Sequence, residues 1–333
     1  MNNQKILKER WEDIDKKLSS FYETNNKTNR KFRDAIQDIL DSIKFTPDEI
    51  YSYADIKYIA KLQKKIKDLK SKGKLKGYTG YLLDKLYKSL KLKNNEVLKG
   101  LFMVEMYKKN EEQEIDEMKL YKEVAQISYE IETKRIIKKK PEKEKHLSLP
   151  DAFIYSLLIN PVYNGWKWTD YKDGNNNYYA TMLYDKVEDL MNRNAPLDVY
   201  SPELSKVFDK EQRSYLNKKK DIIKEDIYID EFYGSIDDVV CYIANASALK
   251  GIADSGFNKV QFVAVLDEAT TDMCLSLDGQ IFDIYEWNTY DRYSKADDKN
   301  VVYKTKGLKL GENLPPIDNG YHHCRSTIYP YNE

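Results

Sequence analysis

Through most of its first 137 residues the chain places apolar side chains three and four positions apart, a spacing that lines them up on one face of a helix. Ile6, Leu7, Trp11, Ile14, Leu18 and Phe21 repeat this way, as do Phe32, Ile36, Ile39, Leu40 and Ile43 after a polar break at TNNKTN. Two amphipathic helices of a hairpin or bundle are expected there. Thr46-Pro47-Asp48-Glu49 then supplies a side-chain acceptor, a proline at the first helical position and a glutamate two residues later, a capping box. The helix it predicts runs to about Lys70, carries Ile50, Tyr53, Ala54, Tyr58, Leu62, Ile66 and Leu69, and stops at Ser71-Lys72-Gly73. Further helices are expected at 79–92, 95–109 and 113–137, with Phe102, Met103, Met106 and Tyr107 as core.

Patterning changes after that. Lys134–Lys145 is charged and has little to bury, so 134–147 reads as a linker between a helical domain, 1–133, and a mostly helical middle region, 148–234. The middle region opens on the turn-rich NPVYNGWKW, whose Trp166 and Trp168 suit a packing anchor or a docking surface. Helical spacing returns over 178–191, Ser201-Pro202-Glu203 reads as a helix start, and a basic helix is expected over 206–224. From Ser235 the signals are sharper. Ser235-Ile236-Asp237-Asp238 begins a helix to Ser255, Gly256 is its natural stop, and Lys259–Leu266 alternates as a strand. Short strands are expected at 279–284, 301–304 and 325–329. The fold class is α+β: a mainly helical N-terminal region, then a domain over 235–333 with a helix packed on a small, mostly antiparallel sheet.

Composition narrows the function classes. Lys+Arg and Asp+Glu balance at 55 each, but by count along the sequence residues 1–150 hold 35 against 25 and residues 151–333 hold 20 against 30. The densest basic run, Lys57 to Lys76, has nine lysines and one acid, Asp68. Such a run attracts phosphate by counterion release, or is simply a solvated helix face. Lys57, Lys61, Lys64, Lys65 and Lys67 are the candidate contacts to double-stranded DNA, independent of base sequence. No run approaches the roughly 18 apolar residues of a membrane span, and MNNQKILKERWEDID lacks the apolar core of a signal peptide, so no membrane partner is expected. Three cysteines, Cys241, Cys274 and Cys324, are too few and scattered for a disulfide framework.

Cys274, Cys324, His322 and His323 fall in one stretch, Leu266–Pro330, where any soft-ligand chemistry is concentrated. They are the candidate ligands of a zinc ion, which favours thiolate and imidazole; the bland alternative is that Cys274 and Cys324 pack together. Arg325 invites an ion pair with Asp267, Asp272 or Asp278 that would fix the two halves of the stretch to each other. No orienting third group or oxyanion turn accompanies the Cys and His residues, so no catalytic residue is assigned.

The order Asp267, Thr270, Cys274, Leu277, Asp278, Gly279, Phe282, a long insert, then Pro315, Pro316, His323, Cys324, Arg325, Ser326, Thr327 and Pro330 resembles the minor head protein family of tailed phages, typified by protein F of phage Mu. The likeness is clear over about 235–330 and weaker around NPVYNGWKW. Many relatives have a cysteine where Thr271 stands and a histidine where Tyr321 stands. The resemblance implies a structural protein of the virion, placed inside the capsid near the portal and in the host cytoplasm during assembly. Its implied partners are the portal, other head proteins and the packaged DNA, and its implied roles are head assembly or genome delivery. No cofactor is implied beyond the zinc question. The alternative is a toxin-like or other enzymatic effector built on the same C-terminal domain.

Overall fold

The computed structural model describes residues 3–42, 49–73, 75, 77–137, 149, 153–154, 157, 185–190, 192–193, 195, 211–216, 222–227, 231–265, 270–308, 314 and 325–331. The fold is α+β. The named elements are helices α1 (Asn3–Ser42), α2 (Ile56–Ser71), α3 (Gly77–Lys88) and α4 (Asn94–Ile137), strands β1 (Glu211–Leu216) and β2 (Ile222–Ile227), and helix α5 (Glu231–Asp254). Then come β3 (Lys259–Val263), α6 (Asp272–Leu277), β4 (Ile281–Asp283), β5 (Trp287–Ser294), β6 (Lys299–Lys306) and β7 (Thr327–Pro330). They group into two compact units: Met1–Phe21, Glu117–Trp166 and Phe232–Glu333 form the first, and Tyr22–Asp116 with Lys167–Glu231 the second. The first unit draws on segments from either side of the divisions expected at 133, 147 and 234, and the second on segments from either side of those at 133 and 147.

Several helix limits differ from the sequence reading. The polar break TNNKTN does not interrupt α1, because Asn25 and Thr28 are themselves buried, at 4% and 5% exposure, and continue the stripe of Leu18, Phe21, Phe32 and Ile36. Similarly, 95–109 and 113–137 are one helix, α4. The residues between them are Asn110, Glu111 and Glu112, and the two glutamates propagate a helix at little cost. Residues 50–55 are not helical. They pair with the segment before α4, where Ala54 N–H donates to Leu92 C=O (2.8 Å) and Asn94 N–H to Ser52 C=O (2.9 Å). The α2 cap is therefore Asp55, whose side chain accepts from Lys57 N–H. That bond holds its carboxyl below the usual carboxylate range.

In the second unit α2 turns Ile59, Leu62, Ile66 and Leu69 inward. They meet Phe32, Ile36 and Ile39 of α1, Leu83 of α3, the Val97–Tyr107 portion of α4, and Val187 and Leu190. Gln63 Nε2 donates to the carbonyls of Tyr87 and Ser89, both at 3.0 Å, and so closes the C-terminal end of α3. Where a basic helix was expected over 206–224, β1 and β2 form an antiparallel hairpin with Glu211 opposite Ile227. Tyr215, Ile222, Ile223 and Ile227 are β-formers, and that preference prevails over the lysine content of the connecting residues.

The first unit contains α5, which runs as expected but begins earlier, at Glu231. Gly256 ends it at φ +82°, with Gly256 N–H donating to Ala253 C=O and Phe257 N–H to Ile252 C=O, a Schellman closure. The sheet order is β4-β3-β7, all antiparallel, with Val260 and Phe262 of the central strand turned to the core. The insert between the motif halves, read from sequence as polar with one short strand, contains the hairpin β5–β6, whose two strands have eight residues each. None of the described helices is long and apolar enough to cross a membrane.

Within this unit α4 and α5 are clasped by Tyr129, whose hydroxyl donates to Asp254 Oδ2 at 3.0 Å. Close approach is required there: a Cβ on Gly251 would stand 3.1 Å from the Tyr129 carbonyl oxygen. Burial, and then the hydrogen bond to the Asp254 carboxylate and that carboxylate's charge, push the Tyr129 phenol from 10.0 up to about 12. A folded-state value above the unfolded one gives stability that is complete below pH 10 and is lost as pH rises toward 12. Urea titrations at pH 9 and pH 11.5 should show Tyr129→Phe losing about 2 kcal/mol less than the parent over that window. Equal losses in both proteins would mean the clasp does not titrate.

Candidate functional site

The described residues of the Leu266–Pro330 stretch act on the backbone around them. Thr271 caps α6 by accepting from Cys274 N–H (3.3 Å), and Thr270 Oγ1 donates to the Val265 carbonyl. Cys274 and Leu277 are thereby turned into the core at 4% and 0% exposure. Asp278 Oδ1 accepts from Ala264 N–H (2.8 Å), while Gly279, at φ +77°, donates its N–H to Phe262 C=O (2.9 Å). The pair Asp278-Gly279 therefore holds the turn after α6 against β3, and only glycine takes that φ without strain. Phe282 follows into the core, its ring edge-on to Tyr290 at 5.1 Å. From the far side Ser326 Oγ accepts from Val265 N–H (3.3 Å). Residues from the two ends of the motif thus grip the same strand end.

Arg325 makes its described ion pair outside the motif. Its guanidinium forks onto Asp15 of α1, at 3.0 and 2.8 Å, and stacks over Trp11 at 5.3 Å. Asp278 accepts from the Ala264 amide, and Arg325 ties the motif to the first helix. Trp11 Nε1–H completes the contact by donating to the Arg325 carbonyl at 3.0 Å.

Next to this lies a buried polar cluster that the sequence reading missed. Arg10 is 1% exposed. Its Nη2 donates to Thr327 Oγ1 at 2.5 Å and approaches Asn245 Oδ1 at 3.4 Å, and its Nη1 lies 4.0 Å from Glu132 Oε1. Asn245 Nδ2 donates in turn to the Ser326 carbonyl at 3.0 Å. Four elements, α1, α4, α5 and β7, meet through these groups. A signal was available: Arg10 and Glu132 each occupy a position that the helical period of their neighbours assigns to the apolar face. The arrangement interlocks elements, and the described cysteines, Cys274 and Cys241, are both buried thiols.

The candidate DNA contacts separate by environment. Lys64 and Lys67 point to solvent. Lys57 bonds to Asp55 across the α2 N-terminus and stands over the Tyr58 ring at 4.8 Å. Lys61 Nζ donates to Ser42 Oγ at 2.6 Å. Lys65 turns inward to Glu105 at 2.5 Å, with the carboxylate side chain 9% exposed, and is committed to the core edge of the second unit.

Asp267, Pro315, Pro316, His322, His323 and Cys324 lie outside the described residues, as do Trp166 and Trp168. Among the described residues no group of three or more His, Cys, Asp or Glu is placed to hold a metal ion. Comparison of the chain with protein-family models, curated proteins and solved structures returns no match.

Proposed function

We propose that this chain is a structural protein of a virus particle, and specifically a minor head protein of a tailed phage or prophage that associates with the portal and acts in head assembly or genome delivery. The observation that carries the reading is the ordered set of residues from Asp267 to Pro330. The geometry of its described members is in keeping with it: Thr270, Asp278, Gly279, Arg325 and Ser326 make contacts to backbone or to neighbouring elements, as residues that hold a shape would. Co-expression with its cognate portal protein should give a complex that survives moderate salt, or recovery of the chain with procapsids. Failure to recover it with either, at any salt, overturns the proposal.

Contact with packaged DNA belongs to the same reading, and Lys64 and Lys67 are its best-placed residues. Binding to duplex DNA should be weak, indifferent to base sequence and steeply dependent on salt. Lys64→Gln/Lys67→Gln keeps helix propensity nearly constant and should lower the slope of log affinity against log salt by about 2. An unchanged slope would return the basic run to a solvated helix face. Lys65 is left unaltered, because with Lys108 it serves the partly buried Glu105 carboxylate.

A further inference from the structure

The hairpin β5–β6 has two edges, and they are treated differently. Gly307 N–H donates to Glu286 C=O at 2.7 Å, which marks 286 and 307 as a hydrogen-bonded pair. With Trp287 opposite Lys306 and Tyr290 opposite Tyr303, the alternation of an antiparallel ladder turns the backbone groups of 287, 289, 291 and 293 away from β6. Part of that edge is closed by side chains. Gln280 Nε2 donates to the Asp291 carbonyl (2.7 Å) and Gln280 Oε1 accepts from Asp291 N–H (3.2 Å), while Ser276 Oγ accepts from Tyr293 N–H (2.9 Å). A primary amide making that reciprocal pair stands in for the backbone of a neighbouring strand.

On β6 the same alternation turns the N–H and C=O groups of Asn300, Val302, Lys304 and Lys306 outward, and among the described residues no strand pairs with them. The strand is eight residues long, has no proline or glycine and keeps register throughout, so it can accept a partner along its whole length. Its chemistry selects the partner. Lys299, Lys304 and Lys306 are its charged residues and it has no carboxylate. Val302 is 65% exposed, and the exposed Trp287 lies beside this edge under the Lys304 ammonium, at 5.5 Å. A second copy of β6 would set lysine rows against each other, and like charges across a strand pair are destabilising. An extended segment with carboxylates would instead gain backbone hydrogen bonds and cross-strand pairing with the lysines.

We propose that the outer edge of β6 is a docking site for an extended acidic segment of another protein, bound by strand addition with its carboxylates beside Lys304 and Lys306 and an apolar side chain beside Val302. The test uses the full chain and a fluorescein-labelled octapeptide alternating threonine with glutamate or valine. Two further versions are N-methylated at alternate amides, one on each parity, so that one loses the donors facing β6 and the other loses only outward donors. Saturable binding is expected by fluorescence anisotropy, with at least a tenfold loss for one parity only. Val302→Pro should cause a similar loss while the hairpin persists, since the Val302 N–H faces away from β5. Absence of saturable binding, equal binding of both N-methylated peptides, or tighter binding of a twelve-residue oligothymidylate that displaces the peptide would each overturn the proposal; the last would identify a polyanion surface. Concentration-dependent dimerisation abolished by Val302→Pro would overturn it in favour of self-pairing.

Discussion

Replacing Arg10 with Met is expected to lower the unfolding free energy by about 3–5 kcal/mol, the usual cost of leaving one member of a buried charged group without its counterpart. Methionine fills much the same volume, so the loss would come from electrostatics and hydrogen bonding. Arg10 is nearly inaccessible, donates to Thr327 and Asn245, and stands beside the Glu132 carboxylate, which is itself 0% exposed. Removal of the guanidinium takes the neighbouring cation from the buried Glu132 carboxylate and a donor from the β7 hydroxyl. The paired change Arg10→Met/Glu132→Met should recover much of the loss, because two apolar side chains can replace a buried ion pair at little net cost. Urea denaturation of the parent, the single and the double variant measures this directly. A single-variant loss below about 1 kcal/mol would mean that the cluster is solvated or that its charges are neutral.

A fragment of residues 235–333 is expected to lack a cooperative fold when made alone. Sequence reading favours that fragment as a domain, since its helix, strands and both motif halves lie inside it. The compact unit to which it belongs also includes 1–21 and 117–166. Trp11, Ile14 and Leu18 of α1 and Tyr121, Val124, Ala125 and Tyr129 of α4 are buried in the chain. Loss of even one such large side chain costs about 2–5 kcal/mol, and the fragment loses them all against a total stability of about 5–15 kcal/mol. Circular dichroism and amide exchange should show reduced helix content and no protected core. A sharp thermal transition close to that of the full chain would show that the first and fourth helices are dispensable to this unit. Trp11→Ala in the intact protein is a milder version of the same test and should act on the Arg325 contact in particular.

The candidate site was legible in the sequence as a set of residues and only partly as an arrangement. Thr271, Asp278 and Gly279 could be read locally, because a cap and a tight turn are satisfied within a few residues of chain. Gly256 as the stop of α5 and the alternation of β3 belong to the same class. The α+β division was legible for a related reason: a period of 3.6 or 2 is imposed by each element on its own sequence. What sequence could not specify was every decision in which the alternatives were locally equivalent. Asn25 and Thr28 read as a break until packing buries them, and the lysines near β1 and β2 read as helical until the two strands pair. Residues 50–55 read as part of a helix, and pairing of 50–54 with 92–95 uses the backbone groups that helix would have needed, leaving Asp55 to cap α2. Arg325 had several carboxylates within its own motif, yet the fold brought it Asp15, 310 residues away in sequence. Arg10 and Glu132 had no stated role because a charge on an apolar stripe is a penalty within its own helix. It becomes a contact only when α5 and β7 bring Asn245 and Thr327 to it. Local periodicity and capping thus belong to the sequence, whereas partner choice among chemically similar groups depends on burial, which exists only once distant segments have packed.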